Sequence, residues 1–126
     1  MNKIYIGNSK IPKAGRGVFA GNDIKKDDII ESCPMIEISE DDTANLGDSI
    51  LVTYFFYYGK KKEKSGVALG FGSIYNHSYT PNAMFKINEK ENIINFIALS
   101  NIKKDCEITF NYRNSTDTKT PLWFEV

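Results

Sequence analysis

The chain has 126 residues, enough for a single domain with a real core, and its apolar and charged fractions of 41% and 25% are ordinary for a globular protein. Lys+Arg and Asp+Glu number 16 each, which argues against a strongly basic nucleic-acid surface. Cys33 and Cys106 show no metal-ligand spacing, no run is long enough to span a membrane, and Met1-Asn2-Lys3-Ile4-Tyr5 lacks a signal-peptide core, so a soluble intracellular domain in a reducing compartment is expected.

Short β-type segments dominate. Residues 4–6 are a brief strand candidate, and Gly15-Arg16-Gly17 leads into a second at 18–20, followed by a turn at Gly21-Asn22-Asp23. Residues 29–33 and 35–38 read as two strands, because Pro34 lacks the N–H that a continuous central strand needs. The stretch from Ser39 to Gly47 is acidic, and Ser39 stands three residues before Asp42, an acidic variant of the capping box that predicts a capped helical turn. Residues 50–58 are β-branched and aromatic and read as a strand, although a helix of that length stays open. Lys60, Lys61, Lys62 and Lys64 mark a loop tip, and the chain returns through Val67-Ala68-Leu69. Further strands are expected at 83–87, 93–99 and 108–112. The tail, 113–126, is polar until Pro121-Leu122-Trp123-Phe124. The absence of long 3.6-residue periodicity and the many Gly, Asn and Pro punctuations predict a mainly β domain.

Charge is unevenly spread. Glu37, Glu40, Asp41, Asp42 and Asp48 form an acidic stretch, and the lysines at 60–64 a basic one; each reads as a solvated loop. Ile24-Lys25-Lys26-Asp27 is echoed by Ile102-Lys103-Lys104-Asp105. Two copies are too few for a repeat architecture, so the echo reads as one tight turn used twice, with Asp27 and Asp105 as candidates for positive φ.

The chemistry-bearing residues fall in three blocks. Gly70 to Asn82 holds the only histidine, His77, between Asn76 and Asn82 and beside Pro81. Buried amides and a buried imidazole are costly unless each donor and acceptor is met, so this cluster after Val67-Ala68-Leu69 points to a site. The other blocks are Gly15-Arg16-Gly17 and Glu107-Ile108-Thr109-Phe110-Asn111-Tyr112. The Gly-x-Gly lacks the Gly-Lys-Ser/Thr of a P-loop. One His and two isolated Cys do not make the usual zinc site, and no carboxylate stands at a spacing that would orient a Ser–His or Cys–His pair. Taken singly, the Gly-x-Gly could be a plain turn, His77 a core histidine and Tyr112 a strand-end aromatic. Their joint occurrence in this order is harder to produce by chance.

Together the three blocks resemble the SET-domain protein-lysine methyltransferases, in their minimal single-domain viral and bacterial form. The resemblance spans about 11–112 of a single domain, 1–126. It implies a mainly β fold of several small sheets (the β-clip), with the His77 segment threaded through a C-terminal pseudoknot. It also implies methyl transfer from S-adenosyl-L-methionine to a lysine. The methionine part of the cofactor would lie along Gly15, Arg16 and Gly17, Asn76 and His77 would hold its adenine end, and Tyr112 would also contact it. Tyr112 would be the catalytic residue, and Tyr54, Tyr75 and Phe110 the channel for the substrate lysine. A narrow aromatic channel disfavours an ammonium and so favours the neutral amine that attacks, and aromatic faces suit methylated ammonium groups. Phe110, two residues before Tyr112, implies more than one methyl added.

Three departures stand out against the family pattern. Asn111 replaces the usual Asp before the terminal Tyr, the flanking cysteine-rich zinc modules are absent, and Asp27 and Asp105 stand where Gly is common. Without those modules, Trp123 and Phe124 of the tail become the candidates for a channel cover. The expected partner is a lysine-containing protein or peptide, histone-like if the acidic stretch steers it, with no metal and no nucleic acid or membrane. The expected location is the cytoplasm, or a host nucleus for a viral or effector protein. Two other readings carry forward: a SET-like module that binds peptide without turnover, and an interaction protein with a homodimer seam built from 50–58 and the tail.

Overall fold

The computed structural model describes residues 3–59 and 63–112; the lysines at 60–62 and the whole tail, with Trp123 and Phe124, lie outside the described residues. In chain order the strands are β1 (Ile4–Asn8), β2 (Arg16–Ala20), β3 (Ile29–Ile38), β4 (Phe56–Tyr58), β5 (Lys64–Ala68), β6 (Asn76–His77), β7 (Ala83–Asn88), β8 (Ile93–Ala98) and β9 (Glu107–Phe110). A short helix α1 (Glu40–Asn45) and a 3-10 helix (Ile50–Tyr54) fall between β3 and β4. The strands form a four-stranded sheet in the order β1-β2-β9-β6 and a five-stranded sheet in the order β4-β5-β3-β8-β7. None of the described helices is long and apolar enough to cross a membrane.

Two expectations are corrected. Pro34 does not divide two strands: β3 runs through it for ten residues. The strand instead changes partner there. Residues up to Pro34 pair with β8, ending at Pro34 opposite Ile93, and Met35 onward pairs with β5. At the handover the Pro34 carbonyl accepts from Leu69 N–H (2.9 Å) and Met35 N–H donates to the Asn92 carbonyl (2.8 Å). Proline sits where the ladder asks it for no N–H.

The second correction concerns 50–58, which is a strand only at Phe56–Tyr58. Its first part is the 3-10 helix, because hydroxyls turn back onto local carbonyls: Ser49 Oγ donates to Leu46 (2.7 Å) and Thr53 Oγ1 to Ile50 (2.7 Å). Such local bonds compete with a sheet ladder. The price is exposure, with Ile50 72% accessible.

Helix α1 begins as its cap predicts, with Ser39 Oγ accepting from Asp42 N–H at 3.1 Å. Glu40, Asp41 and Asp42 occupy its first turn, the end where the helix dipole favours negative charge. The echoed motifs face each other: Ile24 and Ile102 exchange backbone hydrogen bonds of 2.7 and 2.8 Å. Asp27 and Asp105 take φ of 73° and 70°. Asp27 N–H then donates to the Ala98 carbonyl (2.8 Å) and Asp105 N–H to that of Ala20 (2.7 Å).

The core joins the two sheets at Phe110. Its ring is 5.4 Å from Phe85 and from Phe96, 5.9 Å from Tyr75 and 6.0 Å from Phe56. Burying one such side chain contributes about 1.5–3 kcal/mol. Tyr75, Ile30, Ile94, Ile108 and Val18 are among the fully buried side chains of the same core.

Candidate active site

Strand β9 is the axis of the site. On one side it pairs with β2, Val18 opposite Ile108. On the other it pairs in parallel with β6, Asn76 opposite Thr109 and His77 opposite Phe110. Ser78 N–H continues that ladder to the Phe110 carbonyl at 3.1 Å. Where β6 ends, the Asn82 amide takes over: its Nδ2 donates to the Glu107 carbonyl (2.9 Å) and its Oδ1 accepts from Thr109 N–H (2.9 Å). A side chain thus supplies the donor and acceptor of a missing strand residue.

His77 is spent on the backbone of Tyr112. Its Nδ1 accepts from Tyr112 N–H at 3.0 Å, so the ring hydrogen sits on Nε2. The ring is buried, edge-on to Tyr79 at 4.4 Å and to Tyr112 at 5.1 Å. The Tyr112 hydroxyl donates to the Tyr75 carbonyl at 2.9 Å. Burial, reinforced by Tyr54, pushes the Tyr112 phenol up to about 12, so it is a neutral hydroxyl throughout the physiological range and acts as a donor and acceptor of hydrogen bonds. Asn111 is only 3% exposed; a neutral amide avoids the desolvation cost that a carboxylate would meet there.

Beside this lies a second polar knot. Glu107 accepts from Ser9 Oγ on one carboxylate oxygen (2.7 Å) and from Asn76 Nδ2 on the other (2.8 Å). Asn76 Nδ2 also donates to the Arg16 carbonyl at 2.8 Å, so both amide hydrogens are committed and Oδ1 is left to accept from elsewhere. Gly17 is required by this knot. A Cβ there would collide with Glu107 Oε2 and stand 3.0 Å from Asn76 Nδ2. Gly15 serves differently: its φ is +74°, and nothing lies within 4 Å of where its Cβ would be. Gly15 and Arg16 are exposed residues, while their carbonyls accept from Ser9 N–H and Asn76 Nδ2.

Across Tyr112 from this knot is a pocket of about 410 Å³. Val52, Thr53, Tyr54, Phe55, Phe56 and Tyr57 form one wall, and Gly72, Ser73, Tyr75, Phe110 and Tyr112 the other. Tyr54 stands at 40% exposure, whereas Tyr75 and Phe110 are each only 2% exposed. The Tyr75 hydroxyl is engaged by Glu31 Oε1 at 2.8 Å.

The sequence-predicted residues therefore fall into two connected groups. Gly15, Arg16, Gly17, Asn76 and His77 lie on the β2–β9–β6 side, and Tyr54, Tyr75 and Phe110 on the pocket side, with Tyr112 bonded to the first and lining the second. Asn82 and Glu107 stood in the sequence blocks without a role of their own and serve as anchors, whereas Glu31 as an anchor and Val52, Thr53 and Phe55 as wall were not singled out. The density of Tyr54-Phe55-Phe56-Tyr57-Tyr58 was a signal for the wall, since a two-faced strand cannot bury so many rings on one side. Glu31 carries no local signal at all.

The SET domain family model matches residues 15–113. A Schizosaccharomyces pombe protein named histone-lysine N-methyltransferase, H3 lysine-37 specific, is 32% identical over 114 residues, 90% of this chain and 72% of that one. A Plasmodium falciparum crystal structure described as a histone methyltransferase superposes with a TM-score of 0.73 at 38% identity, covering 91% of this chain and 96% of that one. The Chaetomium thermophilum Polycomb repressive complex 2, in an autoinhibited conformation bound to S-adenosylmethionine, gives a TM-score of 0.73 over 93% of this chain. That match is 23% identical and covers 16% of the Polycomb chain, so it speaks for the fold alone. The mainly β architecture of small sheets is that of this family. The chain belongs to the SET-domain protein-lysine methyltransferases, enzymes whose methyl donor is S-adenosylmethionine.

Proposed function

We propose that the chain methylates a lysine side chain of a basic protein such as a histone or histone-like tail, with Tyr112 as the catalytic residue. The observation that carries this reading is the double anchoring of Tyr112, its N–H on His77 and its hydroxyl on Tyr75, between the Gly15–Asn76 knot and the aromatic pocket.

The knot fits S-adenosylmethionine. Gly15, with nothing within 4 Å of where its Cβ would stand, permits close approach of a ligand. Asn76, with only Oδ1 left to offer, selects a donor such as the α-ammonium, and the neighbouring Glu107 carboxylate suits a cation. Gly15, Arg16, Gly17, Asn76, His77 and Tyr112 would hold it. When bound, it supplies an electrophilic methyl on a sulfonium, displaced in line as the lysine nitrogen forms its new bond and a neutral thioether departs.

The protein's own task is to present the amine neutral and aligned. A free lysine, at a pKa of ~10.4, is mostly charged near pH 7, and the aromatic walls from Tyr54, Tyr75 and Phe110 disfavour that charge. The Tyr112 hydroxyl keeps its proton near neutral pH and so offers no phenolate base; it fixes the geometry, and alignment is where much of the rate gain lies. Phe110 brings no hydroxyl to the pocket to hold the amine still, which favours addition of a second and third methyl. Glu40, Asp41 and Asp42 are exposed on α1, which leads directly into the pocket wall; their charge steers a basic peptide toward it. Such a substrate places the protein inside cells, in the cytoplasm or a nucleus.

Incubation of the chain with methyl-labelled S-adenosylmethionine and core histones tests this reading. Label on lysine is expected, with Tyr112→Phe slower by roughly a hundredfold. Wild-type turnover by Tyr112→Phe overturns the role of Tyr112, and binding without turnover by the wild type favours a peptide-reading module instead. Mass spectra of the same product are expected to show di- or trimethyl-lysine; strictly monomethyl product after long incubation removes the role given to Phe110.

A further inference from the structure

We propose that Glu31 is a positioning residue for methyl transfer: it fixes Tyr75, and through the Tyr75 carbonyl it fixes the hydroxyl of Tyr112. The inference rests on the reading of Tyr112 as the catalytic residue.

Glu31 lies on β3, in the other sheet from β6 and β9 and outside the pocket lining. Its two carboxylate oxygens serve two different donors on the loop that leads into β6. Oε2 accepts from Phe71 N–H at 3.0 Å, and Oε1 from the Tyr75 hydroxyl at 2.8 Å. One carboxylate thus clamps both ends of the Phe71–Tyr75 stretch. Gly70 makes room for it: a Cβ at that position would stand 2.8 Å from Oε2, and φ there is +64°.

Tyr75 has no freedom to compensate. It is 2% exposed, with its ring 4.5 Å from Phe96. A hydroxyl so placed must keep an acceptor or bear the cost of desolvation, and Glu31 is that acceptor. Burial, then Glu31 itself, raises the Tyr75 phenol far above its usual range, so it remains a donor. The same residue's carbonyl receives the Tyr112 hydroxyl at 2.9 Å. A shift of the clamp therefore reaches the hydroxyl that aligns the amine, although Glu31 itself lies outside the pocket lining.

Glu31→Gln and Tyr75→Phe separate this role from a structural one. Glutamine keeps the size but turns an NH2 toward a donor, and phenylalanine keeps the ring and removes the bond. Each variant, and the double variant, is assayed on the labelled-methyl reaction below its melting temperature. Each single change is expected to lower kcat about tenfold with KM for donor and histone within about twofold. The double variant is expected to be no slower than the slower single one, since both break one linkage.

Wild-type kcat in either single variant, additive losses in the double, or a raised KM with kcat kept each overturns the proposal. A merely structural role lowers the melting temperature and leaves kcat of the folded enzyme alone. If Glu31→Gln does not fold, Tyr75→Phe decides by itself, because it deletes one oxygen atom. A wild type that transfers no methyl overturns the methyltransferase reading and this inference with it. An active wild type with a crippled Tyr112→Phe, beside normal Glu31→Gln and Tyr75→Phe, overturns this inference only.

Discussion

Residues 76–82 and 50–58 both border the Tyr112 site, yet they are held in different ways. The first is fastened by directional bonds: Asn76 to Arg16 and Glu107, His77 to Tyr112, Asn82 to both Glu107 and Thr109. The second is a 3-10 helix followed by three strand residues, anchored in the core by Phe56 and Tyr58 while Ile50, Leu51, Tyr54 and Tyr57 are exposed. Polar networks fix atoms to tenths of an ångström and are costly to break. An apolar wall excludes water over an area and tolerates displacement. On the proposed reading, the networked side places atoms for cofactor and Tyr112, and the adaptable side admits the substrate chain.

That contrast can be broken most directly at Asn82. Asn82→Ala removes two bonds and leaves the Glu107 carbonyl and Thr109 N–H unmet, so a loss of about 2–4 kcal/mol in a denaturant titration is expected. Ile50→Ser, on the other side of the pocket, is expected to stay within about 0.5 kcal/mol of wild type. Equal effects would abolish the distinction.

A pH series of thermal melts sharpens it further. Tyr112 and Cys33 are pushed by burial up to about 12, from ordinary values of 10.0 and 9.0, and Tyr75 moves in the same direction. All three are buried or half-buried around the site, Tyr75 and Tyr112 in the pocket lining and Cys33 on β3. Each keeps its proton to a higher pH when folded, so above pH 9 the unfolded chain binds fewer protons than the native one. Stability is therefore complete below about pH 9 and falls as pH rises toward 12. A flat melting temperature across that window would contradict the burial of these groups.

The smallest effect is expected at α1. Replacing Glu40, Asp41 and Asp42 by their amides should raise KM for a basic peptide a few-fold at low salt and leave kcat alone, with the difference vanishing at high salt. A KM that does not move at low salt removes the steering role.

The same division explains what could be read from the residues in advance. Asn76, His77 and Asn82 were conspicuous because a dense run of amides and an imidazole beside apolar residues has to be satisfied by something, and Asp27 and Asp105 were readable because few residue types accept positive φ. Pro34 misled, since a missing N–H signals a break wherever the strand keeps one partner, and only the sheet order reveals that β3 changes partner at that residue. Residues 50–58 misled because β-branched and aromatic composition describes burial preference, while the hydroxyls of Ser49 and Thr53 decided the local geometry. The Glu31–Tyr75 pair joins residues 44 apart, and no periodicity encodes such a meeting. It follows from which strands become neighbours.

The parallel pairing of β6 with β9 has a further consequence, for the order of folding. Strand β9 bonds to β2 near the start of the chain and to β6 in its middle, so loop closure over long sequence separations precedes its reward. No fragment lacking β9 can hold Asn76, His77 and Tyr112 together, because β9 carries the pairing with β6 and leads into Tyr112. Amide exchange at Thr109 should therefore report global unfolding, and a ligand seated against Asn76 would slow exchange throughout the protein, well beyond its own neighbourhood.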